Sequence, residues 1–562
     1  MKQQRAPIWF RHFPPVRWLA DYRLEWLPSD VIAGATLAAY AIPVSLAYAA
    51  LAGLPPQAGI YGYLLGGLGY AFLGSSRQLA IGPTSAISLM IAGTVAAMAD
   101  GDPLRYGQIA SLAACMVALL CFLAWLLRLS MLVRLISDSI LVGFKAGAGL
   151  TIAMTQVPSL LAVPGGGHNF FDRTILVAGQ LGQINYIVFG LGLVAILLLV
   201  SGERLFPARP VALAVVALSI AAASAFGLPR LGVPVTGEVP AGLPSIALPE
   251  LRARDVEGIV PLAAGCLLLA YIESVSAART FAAKHGYGLD SRQEFLGIGV
   301  AHLAAGLGQG YAVAGGLSQS AVNDKAGART PLALIVASCA LALCLLFLTG
   351  VLANLPKAVL AAIVLTAIYG LIDFPAMLRM WRISRMDFYA AAIALAAVLV
   401  LGILQGILLA ALASVLMLLA RASTPHVAFL GRIPGTNSYS DLARHPENEP
   451  LPHAIAFRPE ASLLYVNADA VLQSVSNRLA AEGAHDIRLV VCDLSASPHI
   501  DLAGARMLHQ LQLDLAGRGI ILRVVGARGR VRDLLRAEGV GEKLGPLDRR
   551  VTLDHLLGGA GR

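Results

Sequence analysis

Between residues 30 and 420 the chain is a succession of apolar runs, and no other feature restricts its fold as much. Bounded by turn and charge signals, the runs are 30–50, 58–74, 84–98, 108–127, 131–157, 184–201, 209–227, 258–278, 294–309, 317–325, 331–350, 356–376, 387–402 and 404–420. A spanning helix needs about 20 apolar residues, and shorter or broken ones are tolerated where they line a cavity. The pattern predicts an α-helical polytopic membrane protein of fourteen segments with both ends on one side. Charge places the boundary of this region. Residues 440 to 562 carry 15 basic and 15 acidic residues, as a soluble domain does, whereas residues 1 to 439 carry 27 and 18 and hold the whole net charge of +9.

That excess marks orientation. Loops after even-numbered segments hold thirteen basic residues: Arg77, Arg128, Arg134, Arg204, Arg209, Arg279, Lys284, Arg292, Lys325, Arg329, Arg379, Arg382 and Arg385. Loops after odd-numbered segments hold six, namely Arg105, Arg173, Arg230, Arg252, Arg254 and Lys357. The positive-inside rule then puts the even loops, both termini and the soluble domain in the cytoplasm of an inner-membrane protein. The balanced soluble domain argues against nucleic acid as a partner. Residues 1–29 lack the short apolar core of a cleavable signal, and the six cysteines form no CxxC pair.

Two segments are too short. The third begins after Gly82-Pro83 and runs about 15 residues, and the tenth lies between Gly315-Gly316 and Gly327 with about 10. They are seven segments apart, so they hold equivalent places in two halves of seven. An odd number of spans per half makes the halves an inverted 7+7 repeat, and paired interrupted helices in such repeats mark a transporter's midplane site. A helix that starts inside the membrane aims unpaired N–H groups and its positive dipole end into the cavity, which suits an anion. Thr84, Ser85 and Ser88 on the third segment and Ser318, Gln319 and Ser320 on the tenth supply hydrogen bonds there without a buried charge. The alternative use of these small residues is close helix packing.

Ile42-Pro43-Val44-Ser45-Leu46-Ala47-Tyr48-Ala49, Gly53-Leu54-Pro55-Pro56, Gly59-Ile60-Tyr61, Gly74-Ser75-Ser76-Arg77, Gly82-Pro83-Thr84 and Ser318-Gln319-Ser320-Ala321-Val322-Asn323 together resemble the signature of the SulP anion transporters. The likeness extends into a C-terminal region similar to a STAS domain. It implies a core (segments 1–4 and 8–11) sliding against a gate (5–7 and 12–14), homodimers, and transport of sulfate, bicarbonate, chloride or dicarboxylates coupled to protons, to sodium or to anion exchange.

Glu273 stands alone in the eighth segment. An ionised carboxylate at mid-helix costs about 2.5–3.5 kcal/mol on insertion scales, so it should face a cavity, pair, or stay protonated. The resemblance makes it the coupling residue, with Glu associated with protons; a structural carboxylate is the alternative. Two positions depart from the family pattern: Gln319 stands where many relatives carry Arg, and Val44 where many carry Gln. Lys145 is a candidate replacement for the missing cation. It lies eleven residues beyond Arg134, about 16 Å deeper, on the gate. It supplies a gate cation to the anion, or it pairs with Asp138 on its own helix face. His302, where relatives often carry Asn, either senses pH or hydrogen-bonds a neighbouring helix.

From about residue 453 strands alternate with helices: strands at 461–466, 487–493 and 520–525, and helices near 468–483 and 503–516, an α/β pattern. In STAS relatives a Ser in an Asp-Ser-Ser-Gly type turn is phosphorylated; here the turn reads Asp501-Leu502-Ala503-Gly504, and that switch is absent. The expected organisation is a cytoplasmic segment at 1–29, a transport domain at 30–421, a linker at 422–452 and a STAS domain at 453–562. The expected function is secondary transport of a small inorganic anion, sulfate foremost, by proton-coupled symport with an elevator-like movement of the core. Sodium-coupled bicarbonate or dicarboxylate transport is one alternative, and a membrane-anchored STAS signalling scaffold another. No enzyme constellation, metal-ligand cluster or cofactor motif is present in the sequence.

Overall fold

The computed structural model describes residues 18–19, 22–129, 137–167, 169–206, 210–369, 372–481, 487–541, 543–545, 547–548 and 550–557. Arg134, Arg209 and most of the N-terminal segment lie outside the described residues. The chain divides into two units, Met1–Ser414 and Val415–Arg562.

Every apolar run read from the sequence contains a helix. In chain order these are α1 (Leu27–Leu51), α2 (Pro56–Leu73), α3 (Ser85–Met98), α4 (Pro103–Leu126), α5 (Asp138–Leu161), α7 (Tyr186–Leu205), α8 (Val211–Ala225), α9 (Val256–His285), α10 (Ser291–Leu307), α11 (Leu317–Lys325), α12 (Leu332–Phe347), α14 (Lys357–Tyr369), α16 (Arg385–Leu401) and α17 (Ile403–Ser423). Among the described residues of the first unit three further α-helices were not foreseen: α6 (Phe170–Gly179), the single turn α13 (Thr349–Leu352) and α15 (Phe374–Ile383). By length and composition, seven helical stretches among the described residues are long and apolar enough to cross a membrane.

Packing sorts the helices into two groups. α10 lies on α4 and α2, α12 on α1 and α2, α9 on α4, and α11 on α1. The second group holds α5 against α16 and α14, with α14 also on α7. The first group holds helices expected for the core and the second helices expected for the gate, while α14 also lies on α1, and α8, expected in the gate, lies on both α1 and α7. Apolar side chains gain nothing by leaving lipid for one another, so close backbone approach at small residues holds such bundles together. Gly143 of α5 sits against the backbone of Ala391 on α16, and Gly59 of α2 against the Ser45 carbonyl on α1; a Cβ at either would meet backbone closer than 2.5 Å. Arg105 is no loop charge: it is buried at the start of α4, paired with Asp255, and donates to the Glu250 carbonyl at 2.9 Å.

Two short strands interrupt the helices. β1 (Ile81–Gly82) and β2 (Ala314–Gly315) pair antiparallel, Ile81 opposite Gly315 and Gly82 opposite Ala314.

The second unit is a five-stranded sheet in the order β4-β3-β5-β6-β7, from β3 (Val427–Arg432), β4 (Tyr439–Asp441), β5 (Ala454–Pro459), β6 (Leu489–Asp493) and β7 (Ile521–Val525). β5, β6 and β7 run parallel, with crossovers through α18 (Ala468–Ala481) and α19 (Leu502–Ala516); α20 (Gly529–Ala537) and α21 (Leu553–Leu557) follow. Two readings change. Residues 422–452, read as linker, supply the antiparallel strands β3 and β4, whose Ile433-Pro434-Gly435 turn had masked the hairpin. The strand expected at 461–466 is irregular save for a bridge from Leu463 to Ile500, and the buried run Ala454–Pro459 takes its place.

Candidate functional site

Gly82-Pro83 and Gly315-Gly316 end their strands without the N–H and side-chain complement that would carry a helix through, so each half-helix starts afresh in mid-protein. The β1–β2 pair holds the two starts together. Thr84 precedes α3 and Gly316 precedes α11, and neither terminus has a side-chain cap. The first N–H groups returned to each helix are those of Ser88, to the Thr84 carbonyl, and Ser320, to the Gly316 carbonyl. The N–H groups ahead of them, and roughly half a positive charge per helix, are offered at the break. α9 braces this junction: the Ser274 hydroxyl accepts the Gly315 N–H at 2.8 Å.

The sequence-derived residues divide by what their side chains do. Thr84 is buried; its hydroxyl lies next to the Glu273 carboxyl but makes no well-formed hydrogen bond among the described residues. Ser85 is buried beside the Tyr48 phenol. Gln319 is 3% exposed; its Nε2 donates to the Pro83 carbonyl at 2.9 Å, and its Oε1 has no partner among the described residues. The Ser320 hydroxyl is spent on the scaffold, accepting the Ala80 N–H at 3.0 Å and donating to the Gly316 carbonyl at 2.8 Å. Ser318 is exposed on the first turn of α11. Ser88 shares a 2.9 Å hydrogen bond with Tyr311.

Glu273 lies deep within the first unit yet keeps some accessible surface. Lys145 of α5, also partly accessible, is within electrostatic reach of it. Among the described residues Lys145 makes no ion pair or hydrogen bond, and Asp138 is exposed at the start of α5 without bonding to it. His302 is fully buried, with Nδ1 2.8 Å from the Ile298 carbonyl and Nε2 accepting the Val313 N–H at 3.3 Å. That fixes a neutral tautomer and makes the imidazole a latch on the stretch that leads into β2.

Sequence reading missed three partners. Tyr48 stands in the recognised run of α1 and faces both Ser85 and Glu273, but the run gave it no role of its own. Tyr311 had no signal before its contact with Ser88 was known. Glu294, at the start of α10, is fully buried and makes no ion pair among the described residues: it accepts the Ser75 N–H at 2.9 Å, the Ser75 hydroxyl at 2.6 Å and the Tyr70 hydroxyl. Three donors satisfy that carboxylate, a structural tie from α10 to the end of α2.

In the second unit Asp501 caps α19, accepting the Gly504 N–H at 2.9 Å and the Tyr465 N–H at 2.7 Å. Its turn borders a cavity of about 660 Å³ that Tyr465, Leu502, Arg506 and Met507 also line. Ser497 is buried and bonded to the Ala461 carbonyl at 2.6 Å.

Residues 27–394 match the sulfate permease family and residues 445–552 the STAS domain. This chain belongs to the sulfate permease family. It is 33% identical over 532 residues to "Probable sulfate transporter MT1781" of Mycobacterium tuberculosis (strain CDC 1551 / Oshkosh), covering 95% of each chain. It is 30% identical over 564 residues to "Sulfate transporter 4.1, chloroplastic" of Arabidopsis thaliana, covering 97% of this chain and 82% of that one. In fold, the chain is similar to murine Solute Carrier 26 family member A9 (Slc26a9), an anion transporter solved in the inward-facing state. The TM-score is 0.90 at 20% identity, over 100% of this chain and 97% of the other. The transmembrane domain of the cyanobacterial bicarbonate transporter BicA superposes with a TM-score of 0.61 at 22% identity, over 70% of this chain and 98% of that one. The permease is a helical integral membrane transporter with a C-terminal STAS domain.

Proposed function

We propose that this permease imports sulfate as a proton-coupled symporter, with both termini and the STAS domain in the cytoplasm. The observation that carries the reading is the β1–β2 register, which sets two uncapped half-helix N-termini side by side, with Glu273 and Lys145 near them. Charge arithmetic favours a dianion. The two helix ends offer about half a charge each and Lys145 one, roughly +2 in total, which balances sulfate when Glu273 is protonated and falls one short when it is ionised. A proton taken up by Glu273 therefore accompanies the anion. Lys145 belongs to the gate group and Glu273 to the core group, so sliding of the core would make and break this charge contact, as an elevator requires. The two sequence relatives at 30% identity or more, both sulfate transporters by name, support sulfate over bicarbonate or a dicarboxylate. Dimerisation belongs to the same proposal and rests on the family.

The test is uptake of labelled sulfate, bicarbonate and fumarate into proteoliposomes under imposed proton or sodium gradients. Sulfate accumulation driven by an inward proton gradient is expected. Sodium-driven uptake indifferent to the proton gradient would overturn the coupling, and bicarbonate or fumarate uptake without sulfate uptake would overturn the substrate.

A further inference from the structure

α15 has no role in the transport site and sits oddly in the fold. Asp373 caps it, accepting the Ala376 N–H at 2.9 Å, and Pro375 occupies its first turn, so it is a built helix and no frayed end of its neighbour. Ten residues reach only about 15 Å, half of a hydrocarbon core. None of them is buried. Phe374, Leu378 and Trp381, spaced four and three residues apart, form one stripe and are 67%, 53% and 38% exposed. Arg379 and Arg382 are exposed beside that stripe, and Arg385 stacks over the Trp381 ring at 3.9 Å. Among the described residues none of the three arginines makes an ion pair or a hydrogen bond.

A surface helix in water does not leave three large apolar side chains outward with three cations around them that no acid among the described residues pairs. A helix lying in a membrane interface does: aromatic and aliphatic groups enter the acyl boundary while guanidinium groups reach the phosphates. Its place in the chain fits, because α15 joins α14 to α16 on the side to which the basic loops assign the cytoplasm. Charge then selects the occupant. Arginine's planar fork matches phosphate oxygens, and the cytoplasmic leaflet carries anionic headgroups.

We infer that α15 is an interfacial anchor that binds anionic phospholipid of that leaflet through Arg379, Arg382 and Arg385, with Phe374, Leu378 and Trp381 inserted among the acyl chains. α15 packs on α5 and α16, both in the gate group, so bound lipid would steady the gate against which the core moves.

The experiment is native mass spectrometry of the purified full chain exchanged from micelles containing phosphatidylglycerol or phosphatidylcholine. It compares the wild type, a triple Arg→Gln variant at 379, 382 and 385, and a triple Arg→Lys variant. Wild type should retain phosphatidylglycerol preferentially. The Gln variant should lose roughly tenfold or more of that retention with its circular dichroism unchanged, and the Lys variant should keep most of it. Excess glycerol phosphate should not displace the lipid. Equal retention by wild type and Gln variant, no preference for phosphatidylglycerol in the wild type (the result expected if a protein covers this face), or full displacement by glycerol phosphate would each overturn the assignment.

Discussion

Gln319 donates from Nε2 to the carbonyl of Pro83 at 2.9 Å, so the first turn of one half-helix grips the residue that leads into the other, 236 positions away in the chain. Its Oε1 is left without a partner among the described residues, buried at the mouth of both helix termini. The amide thus fixes the spacing of the two N-termini and carries no charge to the anion. Gln319→Ala removes one hydrogen bond, a loss of about 1 kcal/mol, and should raise KM for sulfate roughly fivefold with a smaller change in kcat. Gln319→Glu sets a carboxylate against the substrate and should reduce uptake to background. Initial rates in proteoliposomes across a range of sulfate concentrations check both.

Glu273 should separate coupling from movement. Glu273→Gln mimics the protonated state at every pH, so the carrier can still cross with anion but has no proton to release. Exchange of internal for external labelled sulfate is expected to persist, while accumulation above equilibrium under an inward proton gradient disappears. Accumulation by the variant equal to that of wild type would leave Glu273 without a coupling role.

Lys145 has a sharper signature. It makes no ion pair or hydrogen bond among the described residues and stands near Glu273 across the two helix groups. Removing a cation from this low-dielectric site should cost a dianion about twice what it costs a monoanion. Lys145→Met is expected to raise KM for sulfate by tenfold or more, with a smaller rise for any monoanion the protein carries, and Lys145→Arg should restore most of the difference. Sulfate uptake unchanged in Lys145→Met would remove the cation from the mechanism.

The parts of this architecture visible in the sequence were those written in local chemistry. Gly82-Pro83 and Gly315-Gly316 announce broken helices, and fourteen apolar runs announce the helices themselves. What was hidden depends on distance in the chain. Nothing in sequence indicates that the Ser320 hydroxyl accepts the Ala80 N–H, or that Tyr48 faces Glu273, because both contacts join segments far apart in the chain. α15 was hidden for another reason: its arginines were read as loop charges, and its first three residues fall inside the apolar run 356–376.

His302 offers a test of latch against sensor. With Nδ1 directed to the Ile298 carbonyl and Nε2 accepting the Val313 N–H, the ring does structural work that an Asn could share. His302→Asn should keep transport and leave its pH profile unmoved. His302→Phe strands the Val313 N–H and should destabilise the chain by about 1–3 kcal/mol, read as a lowered melting temperature in detergent. A shifted pH profile in His302→Asn would instead make the imidazole a sensor.

In the second unit the acid limit should lie at Asp441. The side chain is 9% exposed, and burial alone would raise its pKa, but His426 Nε2 at 2.8 Å from Oδ2 and the Ala443 N–H on Oδ1 at 3.0 Å outweigh it and hold the carboxyl below the ordinary aspartate value. A carboxyl depressed on folding contributes stability that is fully present above its unfolded pKa, about 4, and is lost as pH falls through the lower folded value. Amide exchange of β3 and β4 in the detergent-solubilised full chain should therefore be slow and constant from pH 7 to about pH 5, after correction for intrinsic rates, and lose protection below about pH 4. Asp441→Asn keeps an acceptor for Ala443 but gives up the charge-assisted bond to His426. It should lower protection of β3 and β4 by about 1–2 kcal/mol at pH 7 and flatten the acid limb, so that wild type and variant converge near pH 3. A variant that retains the full acid dependence would place the titrating group elsewhere in the sheet.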